Sequence, residues 1–153
     1  MILRIESAGS PAAQSLIGAL DAEIQRRYPG ECPNGIDVAA FEAAGGVFAV
    51  AYDGQTPVAC GGFRPFEGAA EIKRMYVAPS HRGRGLARRL LAFLQARARE
   101  RGHVRAILET GRNMNEALAL YRSEGWREIP VFGPYVGDPK SICFEKMLTA
   151  REA

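Results

Sequence analysis

The spacing of apolar residues changes repeatedly along this chain, and each change marks the edge of an element. Ile2 to Ile5 is a short apolar run that reads as an opening strand. Ser10-Pro11 follows, a serine cap ahead of a proline suited to the first turn of a helix, and that helix runs to about Arg27. Tyr28-Pro29-Gly30 breaks it, the stretch to Asp37 reads as a loop, and Val38 to Ala43 as a second short helix. From Val47 the texture becomes that of strands: Val47 to Tyr52 and Val58 to Cys60 flank Asp53-Gly54, a hairpin signal. Phe63 to Phe66 extends the second arm, Glu67-Gly68 turns, and Glu71 to Val77 makes a third antiparallel strand.

Helical spacing returns after a turn from Pro79 to Gly85. Leu86, Leu90, Phe93, Leu94 and Ala98 form a stripe that must face a sheet, and Arg97, close to that stripe, must snorkel near the helix end. The helix runs to about Arg101 and Gly102 ends it. Arg105 to Glu109 then reads as a strand, so strand, helix and strand imply a crossover and a parallel pair. Asn113 with Glu116 resembles a capping box opening a helix that Gly125 closes. Trp126 to Ile129 and Ser141 to Leu148 are the last strand candidates. The whole predicts an α/β fold, one mixed and largely antiparallel sheet with helices on both faces.

Composition narrows the class. The 153 residues, 47% apolar and 24% charged, suit one domain, read as residues 1–150, with a core that needs neither metal nor disulfide. A formal charge of +3, from 20 Lys plus Arg against 17 Asp plus Glu, is too small for bulk electrostatics to argue for nucleic acid. Cys32, Cys60 and Cys143 are odd in number and lack metal-ligand spacing, which reads as reduced packing residues of a cytosolic protein, with no zinc site. The N-terminal residues lack the pattern of a secretory leader and no long apolar run occurs, so a cytoplasmic protein without a membrane span is expected.

The sharpest local signal is Val77-Ala78-Pro79-Ser80-His81-Arg82-Gly83-Arg84-Gly85-Leu86-Ala87, a strand running into a glycine-bearing turn that opens a helix. Such a turn can present unpaired backbone N–H groups and the positive end of a helix dipole to a phosphate. By spacing alone the glycines could equally satisfy turn geometry with the arginines solvated. The run is not a Walker loop, since the Lys-Ser/Thr pair is missing, nor a G-x-G-x-x-G dinucleotide turn.

Arg82-Gly83-Arg84-Gly85-Leu86-Ala87 resembles the acetyl-coenzyme A signature of the GNAT superfamily of N-acyltransferases, whose core is Q/R-x-x-G-x-G/A. A second family element, a helix ending in Tyr with Gly-aromatic shortly after, is matched by Asn115 to Tyr121 and Gly125-Trp126. Leu108 to Gly111, Phe132 to Tyr135 and Ser141 to Lys146 resemble a branch of small bacterial acetyltransferases. The resemblance implies transfer of acetyl from acetyl-CoA, the co-substrate, to the amine of a small-molecule acceptor, by direct attack through a tetrahedral intermediate. It leaves a homodimer open.

Such a transfer needs a neutral amine, a stabilised oxyanion and a protonated leaving sulfur. The resemblance places Glu71 where some members hold a general base; the competing reading is an ion pair with Lys73 or Arg74. It also implies that Met75, Tyr76 and Val77 hold the cofactor through their backbone, with an oxyanion donor near Met75 or Tyr76. Tyr121 is implied as the acid for the thiolate, against a plain core role. Arg82, Gly83, Arg84, Gly85, Leu86, Ala87, Arg88 and Asn115 are the remaining cofactor candidates, and Asn113 reads as a helix cap. The resemblance implies an acceptor pocket built by the first helices and their loop, Arg26 to Asp37, by Lys73 and Arg74, and by the late loop with Phe132 and Tyr135; Arg74 and Tyr135 are the named candidates. The cations in those segments read either as plain surface charge or as partners of an acceptor that carries a carboxylate. Rival readings are a non-catalytic acyl-CoA-binding module of the same fold and, more distant, a basic nucleic-acid binder, which lacks interleaved aromatic residues.

Overall fold

The computed structural model describes residues 1–30 and 36–148; Cys32 and part of the expected loop before Asp37 lie outside the described residues. Seven strands form one sheet: β1 (Ile2–Ile5), β2 (Val47–Asp53), β3 (Thr56–Phe66), β4 (Ala69–Val77), β5 (Arg105–Gly111), β6 (Arg127–Ile129) and β7 (Ser141–Met147). Their order is β1-β2-β3-β4-β5-β7-β6. Every neighbouring pair is antiparallel except β4 with β5. The expected mixed, largely antiparallel sheet is what forms.

Alternation along β2 divides the core in two. Val47, Ala49 and Ala51 face the side covered by α3 (Leu86–Glu100) and α4 (Asn115–Ser123), whereas Phe48 and Val50 face α1 (Pro11–Arg27) and α2 (Val38–Ala43). Leu90, Leu91 and Leu94 are fully buried under the first face. Each contributes about 1.5–3 kcal/mol by leaving water. The stripe on α3 differs from expectation at one place: Leu91, not Phe93, completes it. Phe93 lies at the edge beneath the Arg97 guanidinium, whose carbon is 5.0 Å from the ring centre. Arg97 reaches outward to Glu100 at 2.7 Å, which is how a cation beside an apolar stripe stays solvated.

The helix starts are set locally in two cases. Ser10 Oγ accepts from Ala13 N at 3.1 Å and Asp37 Oδ1 from Ala40 N at 3.0 Å, capping α1 and α2. In α4 the expected capping box does not form. Met114 occupies the cap position without a side-chain bond, and Asn113 is claimed by α1: its N–H donates to Tyr28 Oη at 2.8 Å and its carbonyl accepts from Arg27 at 2.8 Å. A tertiary clamp has replaced the local cap.

Candidate active site

The site begins with a defect in β4. Cys60 pairs with Tyr76 and Gly62 with Lys73, so Gly61 alone faces both Arg74 and Met75, a β-bulge. Arg74 takes a left-handed conformation with φ of 59°, and Cys60 Sγ donates to its carbonyl at 3.4 Å. A Cβ on Gly61 would overlap the Met75 sulfur, so any larger residue there would push the Met75 side chain out of its place. Ahead of the bulge β4 has already left its parallel neighbour. Pairing with β5 is confined to Ala70 with Ala106 and Glu71 with Ile107, although β4 continues to Val77 and β5 to Gly111. A wedge opens between two strands whose backbone groups no longer satisfy each other.

Two cavities fill that wedge. One, of about 570 Å³, runs along Met75, Tyr76 and Val77 to the turn and the start of α3. The other, of about 250 Å³, lies among β4, β5, α1, α4 and the loop before β7. Leu20, Met75, Met114, Ala117 and Tyr121 belong to both walls, so the two spaces meet at Tyr121.

In the larger cavity, Gly83 and Gly85 have φ of 80° and 77°, and a Cβ on either would meet nothing within 4 Å. Their fronts are open, which lets a ligand approach the backbone. No side chain caps α3, and its first amide to bond within the helix is that of Arg89, to the Gly85 carbonyl at 3.0 Å. The preceding amides of α3 therefore face outward as a ready anion site at the positive end of a 15-residue helix. Leu86, Ala87 and Arg88 complete that wall. This open turn, backed by a largely apolar channel, fits the diphosphate and pantetheine of acetyl-CoA.

The arginines are less uniform. Arg82 lines the cavity, but its guanidinium turns back, donating to the Val77 carbonyl and to Glu23, each at 2.8 Å. Arg88 lines it while bonding Glu124 at 2.8 Å. Arg84 and Asn115 are exposed and outside both walls. His81, a turn residue, lines the cavity and ties the turn to β2 through Asp53 at 2.8 Å, a bond that holds the Asp53 carboxyl below its ordinary range.

The smaller cavity is charged. Lys73, Arg74, Glu109, Tyr135, Asp138 and Lys140 all reach its wall. Glu71 does not: it is 1% exposed and lies behind the wall. Tyr135 Oη donates to Glu71 Oε2 at 3.0 Å and accepts from Lys73 Nζ at 3.1 Å, while Arg64 Nε donates to Glu71 Oε1 at 3.3 Å. Burial drives the Lys73 ammonium below its ordinary pKa, opposed by Glu71, and drives the Tyr135 phenol far above its own. Arg74 is ion-paired with Asp21. Phe132 packs behind Tyr135, ring centres 5.4 Å apart, and is not in the wall.

Tyr121 is 5% exposed and wedged against Trp126 and Phe144, each 5.9 Å away between ring centres. Burial pushes its phenol well above the ordinary value. A thiolate in the same surroundings would be raised too, as the buried Cys60 thiol is, to about 12. Glu109, Met114 and Ser141 were not among the expected site residues. A carboxylate closing an apolar strand was the one available sign of Glu109.

Residues 17–126 match the acetyltransferase (GNAT) family. The chain belongs to the GNAT family of acetyltransferases. An IAA acetyltransferase from Azospirillum brasilense is 37% identical over 145 residues, covering 94% of this chain and 95% of that protein. A crystal structure from Klebsiella pneumoniae, assigned to the acyl-CoA N-acyltransferases, superposes with a TM-score of 0.82 at 32% identity over 97% of each chain. A GNAT acetyltransferase from Elizabethkingia anophelis with acetyl-CoA bound shares the fold, with a TM-score of 0.71 at 17% identity over 95% of this chain and 97% of that one. Like those GNAT proteins, this one is a mixed α/β domain. Among its described residues no helix is long and apolar enough to cross a membrane.

Proposed function

We propose that this GNAT protein is an acetyl-CoA-dependent N-acetyltransferase that acts on the amine of a small molecule by direct transfer. The observation that carries the reading is the meeting of the two cavities at Tyr121, one suited to a phosphate-bearing donor and the other to a polar acceptor. Acetyl-CoA supplies the acyl group as a thioester.

The chain's own residues divide the remaining work. The amides of Gly83, Gly85 and the first turn of α3 bind the diphosphate, and the opened edge of β4 at Met75, Tyr76 and Val77 orients the pantetheine. A backbone N–H at Met75 or Tyr76 stabilises the oxyanion. The Tyr121 hydroxyl delivers a proton to the departing sulfur. Glu71 accepts the proton of the amine through the Tyr135 hydroxyl, since its carboxylate lies one hydrogen bond behind the wall. That role is compatible with the Arg64 contact, which leaves the Glu71 oxygen facing Tyr135 available. Arg74 and Tyr135 shape the acceptor side.

Supplying a panel of small amines with acetyl-CoA and following free thiol tests the reading directly. Acceptor-dependent thiol release, with an acetyl group gained on nitrogen by mass spectrometry, is expected. Tight acetyl-CoA binding with no release for any amine would instead identify a non-catalytic binding module.

A further inference from the structure

We propose that the acceptor is a small zwitterion, an amino carboxylate, whose ammonium is received by Glu109 and whose carboxylate is received by Lys73. The inference deepens the acetyltransferase reading and rests on it.

Among the described residues around the smaller cavity, one carboxylate is shared by two cations and another has none. Arg74 is matched by Asp21, Lys140 lies 3.9 Å from Asp138, and Glu71 is shared by Arg64 at 3.3 Å and Lys73 at 3.8 Å. Lys73, which holds only part of a carboxylate, and Glu109, which has no ion pair among the described residues, are the two with capacity left. They project into the same cavity from neighbouring strands, feel each other's charge, and make no direct ion pair. Lys73 is 8% exposed and donates one bond to Tyr135, with its Nζ 3.8 Å from Glu71. An ammonium has three donors, so bonding capacity is left for a ligand. Glu109 Oε2 accepts from Ser141 Oγ at 2.6 Å, and Oε1 takes no hydrogen bond from the described residues.

Glu109 is partly stripped of water with no cation against it, and Lys73 only shares the Glu71 charge with Arg64, so the burial of both is incompletely repaid. A molecule carrying both an ammonium and a carboxylate closes the gap. A simple amine satisfies only one side. The cavity, about 250 Å³, admits a small ligand of this kind, and Tyr121 at its inner wall marks the end at which the amine must arrive. Burial raises the Glu109 pKa, so its ionised form, the one that binds an ammonium, accumulates above the ordinary carboxylate range. The groups facing it are Lys73 and Glu71 on β4, Tyr121 on α4, Tyr135 and Asp138 in the loop before β7, and Ser141 and Cys143 on β7.

The test pairs each standard amino acid with its carboxamide, which keeps the ammonium and loses the carboxylate. Thiol release gives kcat and KM, and calorimetry on the CoA-saturated protein gives binding without turnover. At least one amino acid should be preferred over its amide by about tenfold or more in kcat/KM, and Lys73→Met should erase that preference. Glu109→Gln should raise the acceptor KM by about tenfold or more with unchanged Tm and acetyl-CoA affinity, and Glu109→Asp should recover part of the loss. In the wild type, KM should fall as pH rises through an acid limb above about 4.3, the ordinary glutamate value, and Glu109→Gln should remove that limb. Amides that serve as well as the acids, a KM unmoved in Glu109→Gln, or no amino acid binding in either assay would overturn the inference. Binding with the stated preference but no thiol release would uphold the two-charge receptor and sink the acetyltransferase reading.

Discussion

The two cavities of this GNAT protein are built from different materials. The larger one is made chiefly of main chain: an opened strand edge, two glycines with positive φ and the start of a helix whose amides lack partners. The smaller one is made of charged side chains drawn from β4, β5 and the loop before β7, held in place by one another. A site of backbone amides tolerates almost any side chain that points away from it, and suits a ligand part that does not vary. A site of paired side chains can be re-aimed one residue at a time. Under the proposed function, the invariant donor belongs to the first cavity and the choice of acceptor to the second.

The strongest way to break this contrast is at Gly85. A valine there points into open space, so no protein atom is displaced, and the fold bears only a left-handed strain of about 1–2 kcal/mol. It blocks the approach of the anion to at least two amides, each charge-assisted bond being worth about 1.5–3 kcal/mol. Acetyl-CoA binding should fall below detection by calorimetry while the protein stays folded. Unchanged affinity in folded Gly85→Val would remove the main-chain phosphate site.

Tyr121 belongs to both cavities and distinguishes chemistry from packing. Tyr121→Phe should keep Tm and acetyl-CoA affinity while kcat and kcat/KM fall together by about 10²–10⁴. The loss should shrink with an acyl donor whose thiol is more acidic. Equal losses for both donors, with chemistry rate-limiting, would return Tyr121 to a packing role beside Trp126 and Phe144.

Glu71→Gln acts one layer deeper. Turnover should drop by about 10², the lower end for a positioned acid or base, with acetyl-CoA affinity retained. Stability should fall by about 1–2 kcal/mol, less than for a fully buried pair, because the Arg64 side chain reaches water. A variant that turns over at the wild-type rate from pH 6 to 9, values set by the assay at roughly the carboxylate-to-amine interval, would show that the proton leaves by another route.

The smallest effect belongs to Arg82. Its guanidinium is already spent on Glu23 and the Val77 carbonyl, so Arg82→Ala should weaken acetyl-CoA by less than about fivefold, in the range of roughly 1 kcal/mol typical of a partly exposed ion pair. A loss as large as that of Gly85→Val would show the side chain swinging to the phosphate, and the contrast between main-chain and side-chain cavities would fail.

Legibility followed the same division. Helix and strand positions could be read from apolar spacing because burial on one face imposes a period, and they formed nearly where expected. The misplaced details were those in which a distant element competed with a local preference. Asn113 was a suitable cap, yet Tyr28 and Arg27 took its backbone; Phe93 had the right spacing, yet Leu91 pointed more squarely at the sheet.

By itself, the sequence determined the turn. Its glycines, the strand before it and the helix after it are contiguous, so Arg82 to Ala87 carry their geometry in their own spacing. Only the tertiary structure decided that β7 inserts between β5 and β6, that β4 leaves β5 after Glu71, and that Glu71 sits behind Tyr135 while Glu109 stands in front. Lys73, Glu109 and Tyr135 are far apart in the chain, and no local period couples them. Their meeting is set by strand register and loop closure, long-range terms that one-dimensional spacing does not encode.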